Sequence, residues 1–379
     1  MARLGDLFLH IKNGANIKQG LDNTGYPITR IETISNRTVD RNKMGYAGIT
    51  DLEKYSDFVM QDGDILMSHI NSETHLGKTA LYEKEGDEII IHGMNLLSLR
   101  PNKDLITSKY AFYYLLSQSF LRQIPNITKK SVNQASFTVS ALKELVFPLT
   151  SIEEQKKITV DLDKVHDLIS LRKQQLAKLD ELVKSRFVEL FGDRYTNDRN
   201  WESKPLYKCA TFYNGKAHEQ VVDENGEYIL VTSRCIASDV TDYRRTNALL
   251  FPLQVNDIAM VMSDVPNGRA LAKCILIDED NKYTLNQRIC CLRDYSFNPI
   301  FFYYLLNRHE YFLSFNDGNA QTNLRKDDLL ACNIIIPPIE LQNQFAAFVE
   351  QTDKSKFEIQ KSLAKLETLK KALVQKYFG

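Results

Sequence analysis

Apolar residues recur four and three positions apart along two stretches of this chain. Positions 158, 162, 165, 169, 172, 176, 179, 183, 186 and 190 read Ile158, Leu162, Val165, Ile169, Arg172, Leu176, Leu179, Val183, Arg186 and Leu190, eight of ten apolar. The same rhythm between 345 and 377 carries Phe345, Val349, Ile359, Leu363, Leu366, Leu373 and Tyr377, seven of ten apolar. A 3.5-residue period held over about five heptads predicts a coiled-coil seam rather than an ordinary surface helix. Pro148 and Pro337-Pro338 stand just before the two helices, and Glu153-Glu154 puts negative charge in a first turn, where the helix dipole favours it. Two matching helices in one chain satisfy each other's stripe, so an antiparallel pair is expected, with a globular part at each end.

Ahead of each helix the pattern shortens to brief apolar runs between turn signals, a β-rich reading. Candidate strands are Ile28-Thr29-Arg30-Ile31, Asp64-Ile65-Leu66-Met67 and Ile89-Ile90-Ile91. Their expected counterparts are Tyr228-Ile229-Leu230-Val231, Ile258-Ala259-Met260-Val261-Met262 and Ile289-Cys290-Cys291-Leu292. That correspondence reflects an internal repeat. Phe112-Tyr113-Tyr114-Leu115-Leu116 returns 190 positions later as Phe302-Tyr303-Tyr304-Leu305-Leu306, a helix expected to pack aromatic rings on the sheet. Leu176–Leu182 returns as Leu363–Leu369 and Phe191-Gly192 as Phe378-Gly379, both 187 on. Asp64-Ile65 and Leu99-Arg100 return 193 on as Asp257-Ile258 and Leu292-Arg293, and Pro148 with Gln155 matches Pro337 with Gln344 at 189. Landmarks in one order with so little drift mark a tandem duplication. The domains expected are 1–150, 193–340 and the helices 151–192 and 341–379.

A length of 379 residues suits two or three domains. The 48 Lys+Arg balance 48 Asp+Glu, which excludes a protein that coats nucleic acid by charge alone. By segment the net charges are +1 for 1–150, 0 for 151–192, −4 for 193–340 and +3 for 341–379. Nucleic-acid binding would therefore need local patches and help from a partner. Hydrophobic residues at 43% suffice for real cores, and no run approaches 18 uncharged apolar residues. The opening Met1–Asp6 lacks the basic-then-apolar layout of a secretory signal, so a cytoplasmic protein is expected. All six cysteines, Cys209 to Cys332, lie in the second half without metal or disulfide spacing, and read as reduced, mostly buried thiols.

Catalytic patterns do not emerge. Gly77-Lys78-Thr79 resembles the end of a phosphate-binding loop, but Ser72 stands where the leading glycine belongs. The seven histidines form no metal-ligand spacing, and the His69–His75 pair suits a loop or base contact better than a metal. There is no Asn-Pro-Pro-aromatic motif of the kind that holds a target amine in amino-methyltransferases.

Together these features resemble the specificity subunit of type I restriction-modification enzymes over essentially the whole chain. Asn13-Gly14-Ala15-Asn16-Ile17-Lys18-Gln19 is similar to that family's opening loop, and Asn214-Gly215-Lys216-Ala217 to the same loop in the second repeat. Tyr26–Ile31 is similar to its next strand, and Gly63–Ser68 followed by Gly77-Lys78-Thr79-Ala80 to its most recognisable stretch. Asn133-Gln134, Leu142–Leu145, Pro148 and Glu153-Glu154-Gln155 resemble its exit. The second repeat departs: Asn256 replaces Gly63, Gly268-Arg269-Ala270 stands for Gly-Lys-Thr, and Leu341-Gln342 for Glu-Glu.

The resemblance implies an α+β fold, a tandem repeat of two mixed α/β target-recognition domains with two long helices pairing as an antiparallel coiled coil. It implies a chain that is not catalytic alone and serves a type I endonuclease and adenine-methyltransferase complex. Each domain would read one half of a bipartite site in double-stranded DNA. The coil would set the spacing and dock two methyltransferase subunits, with restriction subunits joining through them. The chain itself would bind no cofactor and no metal; S-adenosylmethionine, ATP and Mg2+ would sit on the partners. Lys156, Lys157, Lys370 and Lys371 flank the seam and are candidates to face those partners.

Base reading needs Asn, Gln, Arg or Lys at loop tips, with hydroxyls and backbone groups fixing register on phosphate. Candidates in the first repeat are Lys12, Asn13, Lys18, Arg30, His69, Asn71, Ser72, Lys78, Lys129, Lys130, Asn133 and Gln134. In the second they are Asn214, Lys216, Arg234, Arg244, Ser263, Asn267, Arg269, Asn319, Gln321 and Arg325. The competing reading is a tandem coiled-coil scaffold that binds protein without DNA specificity.

Overall fold

The structure, a computed structural model, describes all residues except 18–23, 132–133, 265–268 and 317–321. The chain divides into two compact units, Met1–Lys173 with Lys361–Gly379, and Gln174–Gln360. Each boundary falls inside a long helix, so each helix contributes to both units.

In the first unit, β1 (Phe8–Asn13), β2 (Ile65–Ser68), β3 (Ile70–Asn71), β4 (Thr79–Leu81), β5 (Leu96–Pro101), β6 (Lys129–Lys130) and β7 (Ala135–Ser136) form two sheets. The larger is antiparallel in the order β1-β5-β2-β4, with Ile65 opposite Leu99. Helix α1 (Ser108–Leu115), capped by the Thr107 hydroxyl, turns Tyr110, Tyr113 and Tyr114 into the core. The smaller sheet, β3-β7-β6, grows from the end of β2.

Helix α2 (Ile152–Phe191) leads into the second unit, whose strands are β8 (Thr211–Asn214), β9 (Tyr228–Val231), β10 (Arg244–Thr246), β11 (Ile258–Val261), β12 (Ser263–Asp264), β13 (Cys274–Leu276), β14 (Tyr283–Leu285), β15 (Ile289–Arg293) and β16 (Thr322–Asn323). The order β8-β15-β11-β13 repeats the first unit's larger sheet, and β10-β9-β14 adds a smaller one with β9 and β14 parallel. Helix α3 (Pro299–Leu306) takes the place of α1, and α4 (Ile339–Phe378) ends the described chain one residue short of Gly379.

The repeat extends to buried polar groups. The Arg100 guanidinium grips Asp64, Nε to Oδ1 at 2.8 Å and Nη2 to Oδ2 at 2.7 Å. Arg293 grips Asp257 in the same way at 2.7 and 2.6 Å. Both carboxylates are buried, and each also accepts a backbone N–H, from Gln61 and Gln254. Buried Gln155 receives the Thr107 N–H and donates to the Leu105 and Thr150 carbonyls; buried Gln342 receives the Asn298 N–H and donates to Pro337. The partner of Gln155 is thus Gln342, at an offset of 187, rather than Gln344. The exit Glu340-Leu341-Gln342 then differs from Glu153-Glu154-Gln155 at one position only.

Two further differences from the sequence reading concern strands. Ile28 ends a two-residue strand, Pro27–Ile28, and Ile31–Ile34 is a 3₁₀ turn. Among the described residues Ile91 makes single bridges, to Ile28 and Val59, and the strand matching β15 is β5. A continuous run of isoleucines signals burial, which a packed loop satisfies as well as a strand. Asn256 adopts φ +71°, beside φ +89° for Gly63, so the substitution keeps a left-handed turn that asparagine tolerates. The equivalent of Gly77-Lys78-Thr79 is Ala272-Lys273-Cys274, not Gly268-Arg269-Ala270: Gly77 donates to Ser68 and Ala272 to Val261.

The two long helices, 40 residues each, pair antiparallel within each unit. Tyr377 bonds Asp161, Lys370 meets His166 and Lys173 pairs with Glu367, so residue numbers rise on one helix as they fall on the other. In the second unit Lys356 pairs with Asp180, and the Phe187 ring meets Phe345 edge-on at 5.4 Å. Of the seam residues, Ile158, Leu162, Val165, Ile169, Val183, Phe345 and Val349 are buried. Leu176, Leu179, Leu190, Ile359, Leu363, Leu366 and Leu373 are half-buried. The six thiols are free, five of them buried. Among the described residues no helix is long and apolar enough to cross a membrane.

Candidate nucleic-acid interface

The β3-β7-β6 ladder gathers the largest group of first-repeat candidates. Asn71 lies opposite Ala135, and Ala135 opposite Lys130; Ile70, Ser136 and Lys129 form the neighbouring row. The Gln134 carbonyl accepts both the N–H and the hydroxyl of Ser131 at 2.8 Å. Lys129, Lys130 and Gln134 are exposed, and Lys130 pairs with Glu73 at 2.8 Å. The Asn71 carboxamide oxygen accepts the Ser72 N–H at 2.7 Å while its NH2 reaches the Ser68 hydroxyl at 3.5 Å. Beneath them His69 is 7% exposed, its ring against Phe137 and its carbonyl taking the Phe137 N–H. Burial pushes the His69 imidazole down from its ordinary value, so it is neutral at pH 7. Its place is under the ladder rather than on it.

Other candidates lie apart from this group. The Lys12 ammonium donates to the Asp57 carbonyl and rests over the Phe58 ring. Lys78 donates to the Ser35 carbonyl at 2.8 Å, and Lys273 in the second unit donates to Ala237 at 2.9 Å. That repeated tie makes Lys78 a brace between turn and sheet. Asn13 holds the Gly14 N–H, and Arg30 lies 3.5 Å from Glu32. Lys18, Asn133, Asn267, Asn319 and Gln321 lie outside the described residues. Of the seam-flanking lysines, Lys156, Lys157 and Lys371 are exposed. Lys370 is half-buried against His166 and the Tyr113 ring, and burial with the charge of Lys173 pushes its ammonium down.

The second unit builds the same edge with other residues. β12 pairs with β16, Ser263 opposite Asn323, and the Met262 carbonyl accepts the Leu324 N–H just as His69 accepts that of Phe137. The Ser263 hydroxyl is buried without a partner among the described residues. Arg325 is exposed at the start of a short helix, and Arg269 is exposed with its carbonyl held by Arg308. Asn214 and Lys216 are exposed at the end of β8. Arg234 and Arg244 line a separate recess with Tyr243, Gln287 and Arg288. Gln287, Arg288 and Asn323 are polar edge residues that the sequence reading passed over. The turn immediately before the strand at Ile289 was the available signal for the first two.

A family profile for the type I restriction modification DNA specificity domain matches twice, over residues 1–181 and 196–371. The chain belongs to that family. Its function is DNA specificity, and subunits of this kind bind DNA and assemble with other subunits rather than catalysing alone. The scaffold reading without DNA specificity finds no support. Among relatives, the putative type I restriction enzyme MjaX specificity subunit of Methanocaldococcus jannaschii is 43% identical over 188 residues, 50% of this chain and 44% of the relative. The MjaVIII specificity subunit of the same organism is 22% identical across 97% of this chain and 91% of its own length. The fold resembles the crystal structure of a type I S subunit from M. genitalium, with a TM-score of 0.56, 16% identity, and coverage of 100% of this chain and 95% of the other.

Proposed function

We propose that each unit reads one half of a bipartite target in double-stranded DNA, through the ladder at the end of its main sheet and the loops beside it. The observation that carries this reading is one scaffold with two different tips. The buried Asp–Arg pair and the strand order coincide in the two units, while the ladder row Asn71, Ala135, Lys130 has Asp264 and Thr322 in the corresponding strands. Different side chains on one frame suit two different base sequences. The paired helices would fix the spacing and dock two methyltransferase subunits, with restriction subunits joining through these. Exposed apolar side chains on the helices support docking there: Val160, Leu171, Leu182, Val188 and Phe357 are 49–63% exposed. S-adenosylmethionine, ATP and Mg2+ would belong to those partners, and the complex would act in the cytoplasm.

The test is methylome sequencing of cells expressing this chain with its methyltransferase subunit, and each alone. Adenine methylation at one bipartite motif, only when both are present, is the expected result. Methylation of the same motif by the partner alone, or none despite a stable complex, contradicts the reading.

A further inference from the structure

A recess of about 320 Å³ opens on the second unit, lined by Arg234, Tyr243, Arg244, Gln287 and Arg288, with Glu219 and Asp242 among them. Three elements feed it: the short helix Ser233–Ala237, β10, and the turn between β14 and β15. The turn is closed by the Ile289 N–H on the Asn286 carbonyl at 3.0 Å, and the Asn286 side chain holds the Gln287 N–H at 2.8 Å. The Arg288 carbonyl accepts the Met262 N–H, and Met262 in turn accepts Leu324, so this turn and the β12–β16 ladder share one hydrogen-bonded edge.

The lining carries both signs. Arg234 is tied to Asp242 at 2.6 Å, and the Gln287 amide donates to Glu219 at 2.7 Å. Arg244 and Arg288 are exposed, and neither enters an ion pair among the described residues. A phosphate entering here would meet two carboxylates as well as the arginines. A G·C edge in the major groove instead offers acceptors on guanine O6 and N7 beside a donor on cytosine N4. A guanidinium fork matches the first, and a carboxylate the second.

The other unit shows that the scaffold does not require this lining. Arg244 faces Leu230 as Gly45 faces Ile28, and Arg288 precedes Ile289 as Asn95 precedes Leu96. Arg234 stands two residues beyond the cap Thr232, as Glu32 stands beyond Arg30. Three arginines thus replace glutamate, glycine and asparagine at matched positions.

We propose that Arg244 and Arg288 are specificity-determining residues that read a G·C pair in the second unit's half-site. The inference rests on the DNA-reading function proposed above.

The test compares methylomes of cells carrying the full chain and its methyltransferase subunit, as wild type, Arg244→Gln and Arg288→Gln. Purified complexes are also titrated with target and unrelated DNA at several salt concentrations. Both side chains are exposed, and thermal melting checks that the fold is kept. The expected result is degeneracy at one G·C position of one half-site, discrimination there falling about tenfold or more, with an unchanged salt slope on unrelated DNA. Uniform weakening on all sequences with a shallower salt slope would mark phosphate contact and overturn the proposal. An unaltered motif overturns it too. A wild-type complex that methylates no bipartite motif would instead remove the reading of the whole chain.

Discussion

Asp64 and Asp257 sit beneath arginines that grip both carboxylate oxygens, in units that share strand order, helix placement and even the left-handed turn before the strand. At nearby strand ends, Asn71 in one unit gives way to Asp264 in the other, and Asn95 to Arg288. The difference follows from what each position costs to change. Removing one member of a buried ion pair strands a charge in low dielectric, at about 3–5 kcal/mol. A half-buried polar side chain at a strand end, such as Asn71 or Asn95, costs far less to replace, about 1 kcal/mol. Duplication thus left a frame held by stability and a tip free to change, as the proposed reading of two half-sites requires.

That comparison breaks most readily at the ion pairs. Asp64→Ala and Asp257→Ala should each destabilise by about 3–5 kcal/mol in denaturant unfolding, and to similar extents; a large inequality would show that the two frames are not energetically equivalent. Gly14→Ala and Gly215→Ala come next. A Cβ at Gly14 would lie 2.1 Å from the Gly93 carbonyl oxygen, and at Gly215 1.9 Å from that of Asn286. Neither backbone can yield cheaply, so a loss of about 1–3 kcal/mol in each is expected from the same unfolding experiment. Asn71→Ala removes a half-buried side chain with a bond to the Ser72 N–H, costs only about 1 kcal/mol, and should relax one half-site about tenfold, read as motif degeneracy in the methylome. Equal loss at both half-sites would defeat the assignment of one half-site per unit. Smallest is Lys173→Ala: its partner Glu367 is 3.7 Å away and both are about half exposed, so the melting point should hold to within about 1 kcal/mol of stability.

The long helices were legible because their period persists for about five heptads, and the observed Ile152–Phe191 and Ile339–Phe378 begin and end 187 residues apart. Strands β9, β11 and β15 were legible because turn residues bound them on both sides. Ile89-Ile90-Ile91 misled because its burial comes from loop packing and single bridges, which leave no period in the sequence. For the interface, the sequence named Asn71, Lys129, Lys130 and Gln134, and pairing across β3, β7 and β6 is what draws them together. It also named Lys78, whose repeated tie to a backbone carbonyl appears only once Lys273 is known to be its match. Loop polarity alone does not show which side chains are already tied to backbone.

The core of the first unit includes Phe378, which touches Tyr110 and Tyr114, with Leu373, Val374 and Tyr377 packed around it. Those residues are among the last in the sequence, whereas the second unit is drawn from one continuous stretch, Gln174–Gln360. On the ribosome the first unit to emerge is therefore the last to close. At about 5–20 residues per second it waits roughly ten to forty seconds for its final helix. During that time Tyr110, Ile158 and Leu162 lack part of their cover, and the nascent chain is open to chaperones and proteases until α4 has emerged.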